Sequence, residues 1–244
     1  HDFPVEPTAN TLSFYVVYMC HFIKPKSVNS YLSGICNQLE SFYPNVRTAR
    51  NSQLVTKSLM GCTKLRATPT IRKSPLTRDQ LSNMRHDIGP SPSHDDKCFL
   101  GIAFSTFHGV MRLGENTWPD NTNLQDYRKV IRRSTVSTTP SSASFILPGH
   151  KADRLFEGNR VLLNETKADD DPVRAFKSYL DSRDALFPLN PELWLLSSGQ
   201  IPTRRWFLNR LHSLIPDRNI SGHSFRSGGA TALALAGIPP HLIQ

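Results

Sequence analysis

The sequence predicts a mainly α-helical protein: an all-helical N-terminal domain followed by a mixed α/β domain with a small antiparallel sheet. Two observations predict this fold class. In the first third of the chain, apolar residues recur every three or four positions between prolines, as in short amphipathic helices. Further on, two short apolar segments, 144–148 and 159–163, flank a polar stretch and predict one β-hairpin with a long tip.

Three helices are predicted in the N-terminal domain, over residues 8–23, 27–42 and 46–65. The first carries so many apolar residues that we expect it to be buried. Pro25 is expected to end it, because proline removes a backbone donor, and Ser27 can cap the second helix. The third carries apolar residues on one face and cations largely elsewhere, which predicts a basic surface.

The second domain should begin with a helix capped by Thr77, followed by a long apolar helix at about 96–111. An acidic triplet before Pro172 suits the N-terminus of a helix at 173–183. Thr203 can cap a further helix. Residues 71–76 are predicted to be the linker between the domains, because prolines and polar residues around them suit an exposed strap.

Charge favours an anionic partner, nucleic acid before a membrane surface. The net charge is +9. Residues 1–73 hold nine Lys and Arg against three Asp and Glu, so the excess is concentrated there. These nine cations are the predicted DNA contacts: Lys24, Lys26, Arg47, Arg50, Lys57, Lys64, Arg66, Arg72 and Lys73. The alternative is a basic helix face that is merely solvated.

The four cysteines include no Cys-x-x-Cys pair and have apolar neighbours. They predict reduced cysteines of an intracellular protein, with no zinc site and no disulfide framework. No apolar segment is long enough to span a membrane, and the first residues lack the composition of a signal peptide. We expect both ends to be cut, because the chain opens on His1 and closes on what looks like the start of a helix.

A candidate anion site lies in the stretch 221–237, which predicts a helix capped by Ser224. His223 and Arg226 are three residues apart near its N-terminus, where free N–H groups and the helix dipole favour a phosphate. Two glycines follow inside the helix at a cost of about 1 kcal/mol each, which indicates that another backbone packs closely there. The alternative is a surface histidine and a solvated arginine.

Two further cations join this candidate site. Arg112 follows the long apolar helix, and Glu115 comes three residues later. Glu115 either forms a plain ion pair with Arg112 or orients it toward a ligand. Lys151 lies on the tip of the predicted hairpin, where a lone lysine is ordinarily a solubility residue.

In this order, Arg112-x-x-Glu115, Lys151 and His223-x-x-Arg226 resemble the tyrosine recombinases (the phage-integrase family), including those of fungal mobile elements. The resemblance covers nearly the whole chain. It implies a core-binding, DNA-binding domain at 1–70 and a recombinase catalytic domain at 77–244, incomplete at its C-terminus. The two domains would form a clamp around duplex DNA, with assembly into homo-oligomers on the DNA.

The resemblance also implies roles for the site residues. Arg112 and Arg226 would hold the scissile phosphate, His223 would hydrogen-bond it or help to move a proton, and Lys151 would protonate the leaving 5′-oxygen. Glu115 would support Arg112. Fixed positive donors suit phosphoryl transfer, and with two arginines and a lysine no metal or other cofactor is required. We expect a nuclear location if the host is a eukaryote.

The sequence departs from the family pattern in one respect. The family cleaves DNA through a 3′-phosphotyrosyl link, made by a tyrosine downstream of the His-x-x-Arg helix. All six tyrosines of this chain precede His223. The sequence is therefore expected to be a truncated recombinase or a DNA-binding remnant. A basic helical scaffold that meets acidic proteins is the alternative from another class.

Overall fold

The structure, a computed structural model, describes residues 5–66, 73–148 and 158–243. The chain divides into two compact units, His1–Ile71 and Arg72–Gln244. The first is helical, and the second combines helices with one three-stranded antiparallel sheet. The predicted fold class, mainly α with a small antiparallel sheet in the second part, is confirmed.

The first unit contains four helices: α1 (Ala9–Phe22), α2 (Pro25–Leu39), α3 (Val46–Arg50) and α4 (Gln53–Leu65). Their core is a small apolar cluster made by Leu12, Val16, Cys20, Val28, Leu32 and Val55. Helix α1 packs mainly against α4. The prediction that the first helix is buried was wrong for one of its faces, since several large apolar side chains of α1 are about half exposed.

The predicted end of the first helix is confirmed, since α1 ends at Phe22. The predicted bounds of the second helix were wrong. Pro25 occupies the first turn of α2, where its missing N–H costs nothing, so Ser27 is not the cap, and α2 ends at Leu39, before the predicted end at residue 42.

The predicted third helix is two helices. Asn51 leaves the helical path, and the side chain of Ser52 accepts the N–H of Val55 to begin α4.

The second unit has six helices in its described residues: α5 (Arg78–Ile88), α6 (His94–His108), α7 (Leu113–Asn116), α8 (Pro172–Leu186), α9 (Arg204–Leu214) and α10 (Gly222–Leu235). Three short 3₁₀ turns connect α7 to the sheet, at Thr122–Leu124, Tyr127–Lys129 and Arg133–Thr135, and a fourth covers Pro240–Leu242. Side chains of Thr77, Ser93 and Thr203 cap α5, α6 and α9.

The sheet consists of β1 (Ser137–Thr138), β2 (Ser142–Leu147) and β3 (Asn159–Asn164), in that order. β2 and β3 form the predicted hairpin, with Phe145 opposite Val161 and Ala143 opposite Leu163. β1 was not predicted, since two exposed polar residues leave no apolar signal. Phe145 stacks on Phe176 of α8, with ring centroids 5.6 Å apart, which joins the sheet to the helices.

Helix α6 is the centre of this unit. Every residue from Cys98 to Phe107 is buried, as expected for a helix that is apolar around its whole circumference. It packs against α8 and α10. It ends at His108, before the predicted end at residue 111, because Val110 has a positive φ of 50° and cannot continue a helix.

Helix α10 lies directly against other backbone segments. A Cβ at Gly228 would collide with the Leu76 carbonyl oxygen, and one at Gly229 with the Phe107 carbonyl oxygen. The close approach predicted from the two glycines is therefore present. The N–H groups of Ser74 and Leu76 donate to the carbonyls of Asn219 and Ser224, at 3.1 and 2.9 Å.

Leu76 is 1% exposed, so this end of the predicted linker 71–76 is part of the second unit and not an exposed strap. No helix among the described residues is both long and apolar enough to cross a membrane.

Candidate functional site

Arg112 is positioned by the turn that follows α6. Val110 takes its positive φ, and the N–H of Met111 then donates to the Thr106 carbonyl at 2.9 Å. A β-branched residue in this region is strained, so the surrounding contacts must hold it there. The turn places Arg112 at the residue before α7, with its side chain 48% exposed.

Glu115 holds Arg112 in two ways. Its Oε2 accepts the backbone N–H of Arg112 at 2.7 Å, and its Oε1 accepts the guanidinium Nη1 at 3.2 Å. The Glu115 side chain is only 12% exposed, whereas the guanidinium reaches solvent. The ion pair between the two residues is therefore present, and the Arg112 guanidinium keeps further N–H donors.

Arg226 comes from α10 and is anchored to the same turn. Its Nη1 donates to the carbonyl oxygen of Val110 at 2.5 Å, and the side chain is partly buried. A guanidinium has five N–H donors in a fixed plane, so this bond leaves others for a ligand.

Arg112 and Arg226 line one open groove of about 550 Å³. Glu115 and His108 also line it, and so do Leu147 and Asn159, where β2 ends and β3 begins. Folding therefore brings to one concavity two arginines that are 114 residues apart in the sequence.

Arg160 also lines this groove, and sequence reasoning missed it. It lies on β3, and its Nη1 donates to the Ser144 hydroxyl of β2 at 3.1 Å. An exposed arginine within a short strand is common in any sequence, so only the structure could single it out.

His223 does not line the groove with Arg226, although both belong to the first turns of α10. Its side chain is exposed. The helix begins at Gly222 after Ser221, one turn earlier than the predicted cap at Ser224. The Ser224 hydroxyl oxygen instead accepts the N–H of Ser221 at 2.9 Å. Lys151 and Arg72 lie outside the described residues.

The predicted DNA contacts of the first unit differ in their surroundings. Lys24, Lys26, Lys57 and Lys64 are exposed and have no ion pair among the described residues. Arg50 donates to Asn29 and Ser33 at 3.2 and 3.0 Å, and so extends the polar face of α2, a helix that contains no acidic residue.

Three other predicted contacts have structural partners. Arg47 pairs with Glu40 at 2.7 Å, and both side chains are nearly half exposed. Arg66 donates to the Cys20 carbonyl at 2.5 Å, which ties the end of α4 to α1. Lys73 belongs to the second unit, where its Nζ donates to the Arg218 carbonyl at 2.6 Å.

Sequence reasoning also missed a polar network made by Arg78, Asp170 and His108, of which His108 lines the groove. Asp170, with a side chain 2% exposed, accepts Nε and Nη2 of Arg78 at 2.5 and 2.7 Å. Its Oδ2 is also 3.4 Å from Nε2 of His108. Of the acidic triplet predicted at the start of α8, Asp171 is the residue that caps the helix, and it accepts the N–H of Val173 at 2.8 Å. Arg78 and Asp170 are 92 residues apart, so no local pattern could pair them.

Burial and charge act in opposite directions in this network. Burial lowers the pKa of His108 below its usual value, and the nearby Asp170 only partly offsets this. Burial acts to raise the pKa of Asp170, but the hydrogen bonds from Arg78 and the charge of His108 outweigh it, so the net shift is downward. Both pKa values are therefore shifted downward: burial favours the uncharged imidazole of His108, and Arg78 favours the ionised carboxylate of Asp170.

No group of three or more His, Cys, Asp or Glu side chains that could hold a metal ion occurs within the described part of the chain. All four cysteines are free thiols. What the groove offers a ligand is therefore a set of fixed guanidinium donors, the donor type that grips phosphates and carboxylates in two-point contacts.

No protein-family model matches the sequence, and no curated protein matches it significantly. Several solved structures do match the chain. A XerH site-specific recombinase in a post-cleavage complex with palindromic difH substrate matches with a TM-score of 0.58 at 11% identity, over 97% of this chain and 62% of that one. The chain has the tyrosine recombinase fold.

Two further tyrosine recombinase structures agree. A lambda integrase dimer bound to a COC′ core site gives a TM-score of 0.55 at 12% identity, covering 98% of this chain and 78% of that one. The XerA recombinase structure gives a TM-score of 0.51 at 16% identity, and the match covers 97% of this chain and 79% of the XerA chain. The chain spans less than two thirds of the length of the XerH chain: 63% in a pre-cleavage complex and 62% in the post-cleavage complex.

Proposed function

We propose that this chain binds the phosphodiester backbone of duplex DNA and that the groove of Arg112 and Arg226 takes a single phosphate. One observation carries the proposal: two arginines far apart in the sequence line one open groove, each held by a contact of its own. The tyrosine recombinase fold supports it, since two of the similar structures are a XerH site-specific recombinase bound to difH substrate and a lambda integrase bound to a COC′ core site.

The chemistry that such a groove favours is phosphoryl transfer. Charge accumulates on the non-bridging oxygens of the transition state, and each prepositioned donor can contribute about 10²–10³ in rate. Arg112 and Arg226 would supply those donors with little reorganisation, because Glu115 and the Val110 carbonyl already hold them. Arg160 adds a third guanidinium at the groove.

The remaining roles follow the resemblance and belong to the same proposal. Lys151, which falls in the sequence between the two strand ends at the groove, would give a proton to the leaving 5′-oxygen. His223 would assist at the phosphate from the start of α10. In the complete reaction, a tyrosine hydroxyl would attack the phosphorus and the 5′-oxygen would leave, which joins the 3′-phosphate to the tyrosine.

The described residues place no tyrosine in the lining of the groove, and no tyrosine follows His223 in the sequence. Lys24, Lys26, Lys57 and Lys64 would add phosphate contacts from the first unit. Assembly of several copies on one DNA remains part of the proposal.

The test measures affinity for a duplex by fluorescence anisotropy at several salt concentrations, for the wild type and for Arg112→Gln and Arg226→Gln. Each variant should bind less tightly, and the slope of log K against log salt should become shallower by about 1, because one phosphate contact is lost. Arg204→Gln, an exposed cation at the start of α9 and outside the groove, is the matched control. Unchanged slopes in both groove variants would contradict the proposal.

A further inference from the structure

A second cavity of the second unit is lined by cations and lies apart from the groove of Arg112 and Arg226. Its volume is about 700 Å³. Arg85 and His86, from the last turn of α5, and Lys97 of α6 are in its lining. No acidic residue is among the described residues that line it.

Arg85 and Lys97 are both partly buried, and neither side chain has a hydrogen bond or ion pair with any residue that the structure describes. Arg132 is a further partly buried arginine of this unit whose side chain has no such partner among the described residues. Seven other arginines of the second unit have a carboxylate within 4 Å: Arg78, Arg112, Arg128, Arg133, Arg174, Arg183 and Arg210. A cation withdrawn from water ordinarily needs such a partner.

The carboxylates nearest Arg85 are already engaged. Asp169 lies 3.8 Å from Arg174 and 3.5 Å from His86. Asp171 caps α8, and Asp170 is bound by Arg78. Burial and the like charge of Arg174 lower the pKa of Arg85, as expected for a guanidinium whose charge is not fully compensated. Arg85 has no carboxylate within 4 Å among the described residues, so its guanidinium can donate to an external anion. Lys97 also lines a neighbouring cavity with Asp171 and Asp181, but it has no ion pair with either.

The walls of the cavity are partly apolar and include two prolines. Gly89, with a φ of 85°, ends α5, and Pro90 and Pro92 fix the loop to α6. Leu100 and Ala175 are buried side chains that line the cavity. Hydroxyls of Ser91 and Ser178 are hydrogen-bond donors in the same lining. An ion as small as phosphate would fill little of this volume, which is in the range of small-molecule sites.

We propose that this cavity binds a phosphorylated small molecule of about nucleotide size, with its phosphate between Arg85 and Lys97 and its carbon skeleton over Leu100 and Ala175. The proposal does not rest on DNA binding by the groove of Arg112 and Arg226. The shared chemistry of a nucleotide and a nucleic-acid backbone is the phosphate group, and the experiment separates the two sources.

The experiment titrates the chain with pyrophosphate, AMP and adenosine by calorimetry. Pyrophosphate and AMP should bind saturably, and adenosine, which lacks the phosphate, should not. Arg85→Gln and Lys97→Gln should each weaken binding about tenfold or more, because each removes a charge-assisted hydrogen bond. Lys97→Arg keeps the charge and should retain binding. Arg218→Gln, an exposed cation outside the cavity, should bind as the wild type does.

Three outcomes would overturn the proposal. The first is that neither phosphate probe binds to the wild type, and the second is that the probes bind equally to all variants. The third is that Arg85→Gln and Lys97→Gln weaken duplex binding while the small phosphates do not bind, which would make the cavity part of a DNA surface. Loss of duplex binding only in Arg112→Gln and Arg226→Gln concerns the groove and leaves this site unaffected.

Discussion

At the scale of single residues, the second unit depends on positions where only hydrogen fits. Gly228 and Gly229 let α10 touch the backbone of Leu76 and the end of α6, and no side-chain movement can make room for a methyl group there. The sequence already indicated this, since two adjacent glycines inside a helix are otherwise costly. What it could not supply was the identity of the neighbouring segments.

Gly229→Ala should therefore destabilise the protein by about 3 kcal/mol or more, because the added Cβ meets a backbone carbonyl oxygen. Urea unfolding followed by circular dichroism measures the change. Gly114→Ala is the matched control in the same unit, since nothing lies within 4 Å of its Cβ. Equal stability of the two variants would mean that α10 does not pack as described.

His108 should make stability depend on pH. Its pKa is lowered in the folded state, so protons bind more readily to the unfolded chain, and stability should fall as pH decreases below about 6.5, the usual value for histidine. His108→Gln lacks this pH-dependent contribution to the free energy of unfolding. The urea midpoint between pH 7 and 5 should therefore change less with pH in this variant than in the wild type.

His223→Gln, at an exposed position, is the matched control for this measurement. Parallel curves for His108→Gln and the wild type would show that burial of His108 has no effect on its titration.

At the scale of elements, the sequence predicted best where a local signal was strong. The caps at Thr77 and Thr203 and the strands of the hairpin have side-chain or periodic signatures, and all are present. The end of α6 was predicted too late. The apolar pattern continues through Val110 and Met111, whereas the backbone leaves the helix at Gly109 to build the turn that holds Arg226.

The segment before α5 shows how tertiary contacts override composition. Its prolines and polar residues indicated an exposed linker, but the N–H groups of Ser74 and Leu76 donate to the end of the loop before α10 and to its first turn. The pairing of Arg78 with Asp170 is of the same kind. Such contacts join residues that are distant in sequence, so neither periodicity nor capping residues could predict them.

Leu76→Ala should destabilise the second unit by about 2–5 kcal/mol, as large-to-small changes at buried sites do, because Leu76 is 1% exposed. Thermal unfolding measures this. Leu65→Ala, 87% exposed at the end of α4, is the matched control and should leave the transition unchanged. A mobile linker at residue 76 would instead make both substitutions neutral.

At the scale of the whole molecule, two compact units carry different parts of the proposed DNA surface. The first unit supplies exposed lysines, and the second supplies the groove with its fixed arginines. Much of the candidate site was predicted from sequence, because Arg112, Glu115 and Arg226 have the spacing of a known family. Arg160 and His108 were not, since nothing in their local sequence distinguishes them.

Replacing Lys24, Lys57 and Lys64 together by Gln should weaken duplex binding. The slope of log K against log salt should become shallower by up to about 3, one for each lost phosphate contact. Stability should be unchanged, since all three side chains are exposed. Arg66→Gln gives the contrast, because Arg66 is tied to the Cys20 carbonyl and its loss should lower the unfolding midpoint. Anisotropy and thermal unfolding together separate the two effects.

The bond from Arg226 to the Val110 carbonyl has a consequence for how the groove tolerates mutation. Its acceptor is main chain, so no replacement of a neighbouring side chain can delete it outright. Only a substitution that redirects the peptide path between α6 and α7 can release the guanidinium. Substitutions around residue 110 should therefore keep the Arg226 charge but change the direction of its guanidinium. The presence of the His-x-x-Arg motif would then not be enough to show that the groove can bind a phosphate.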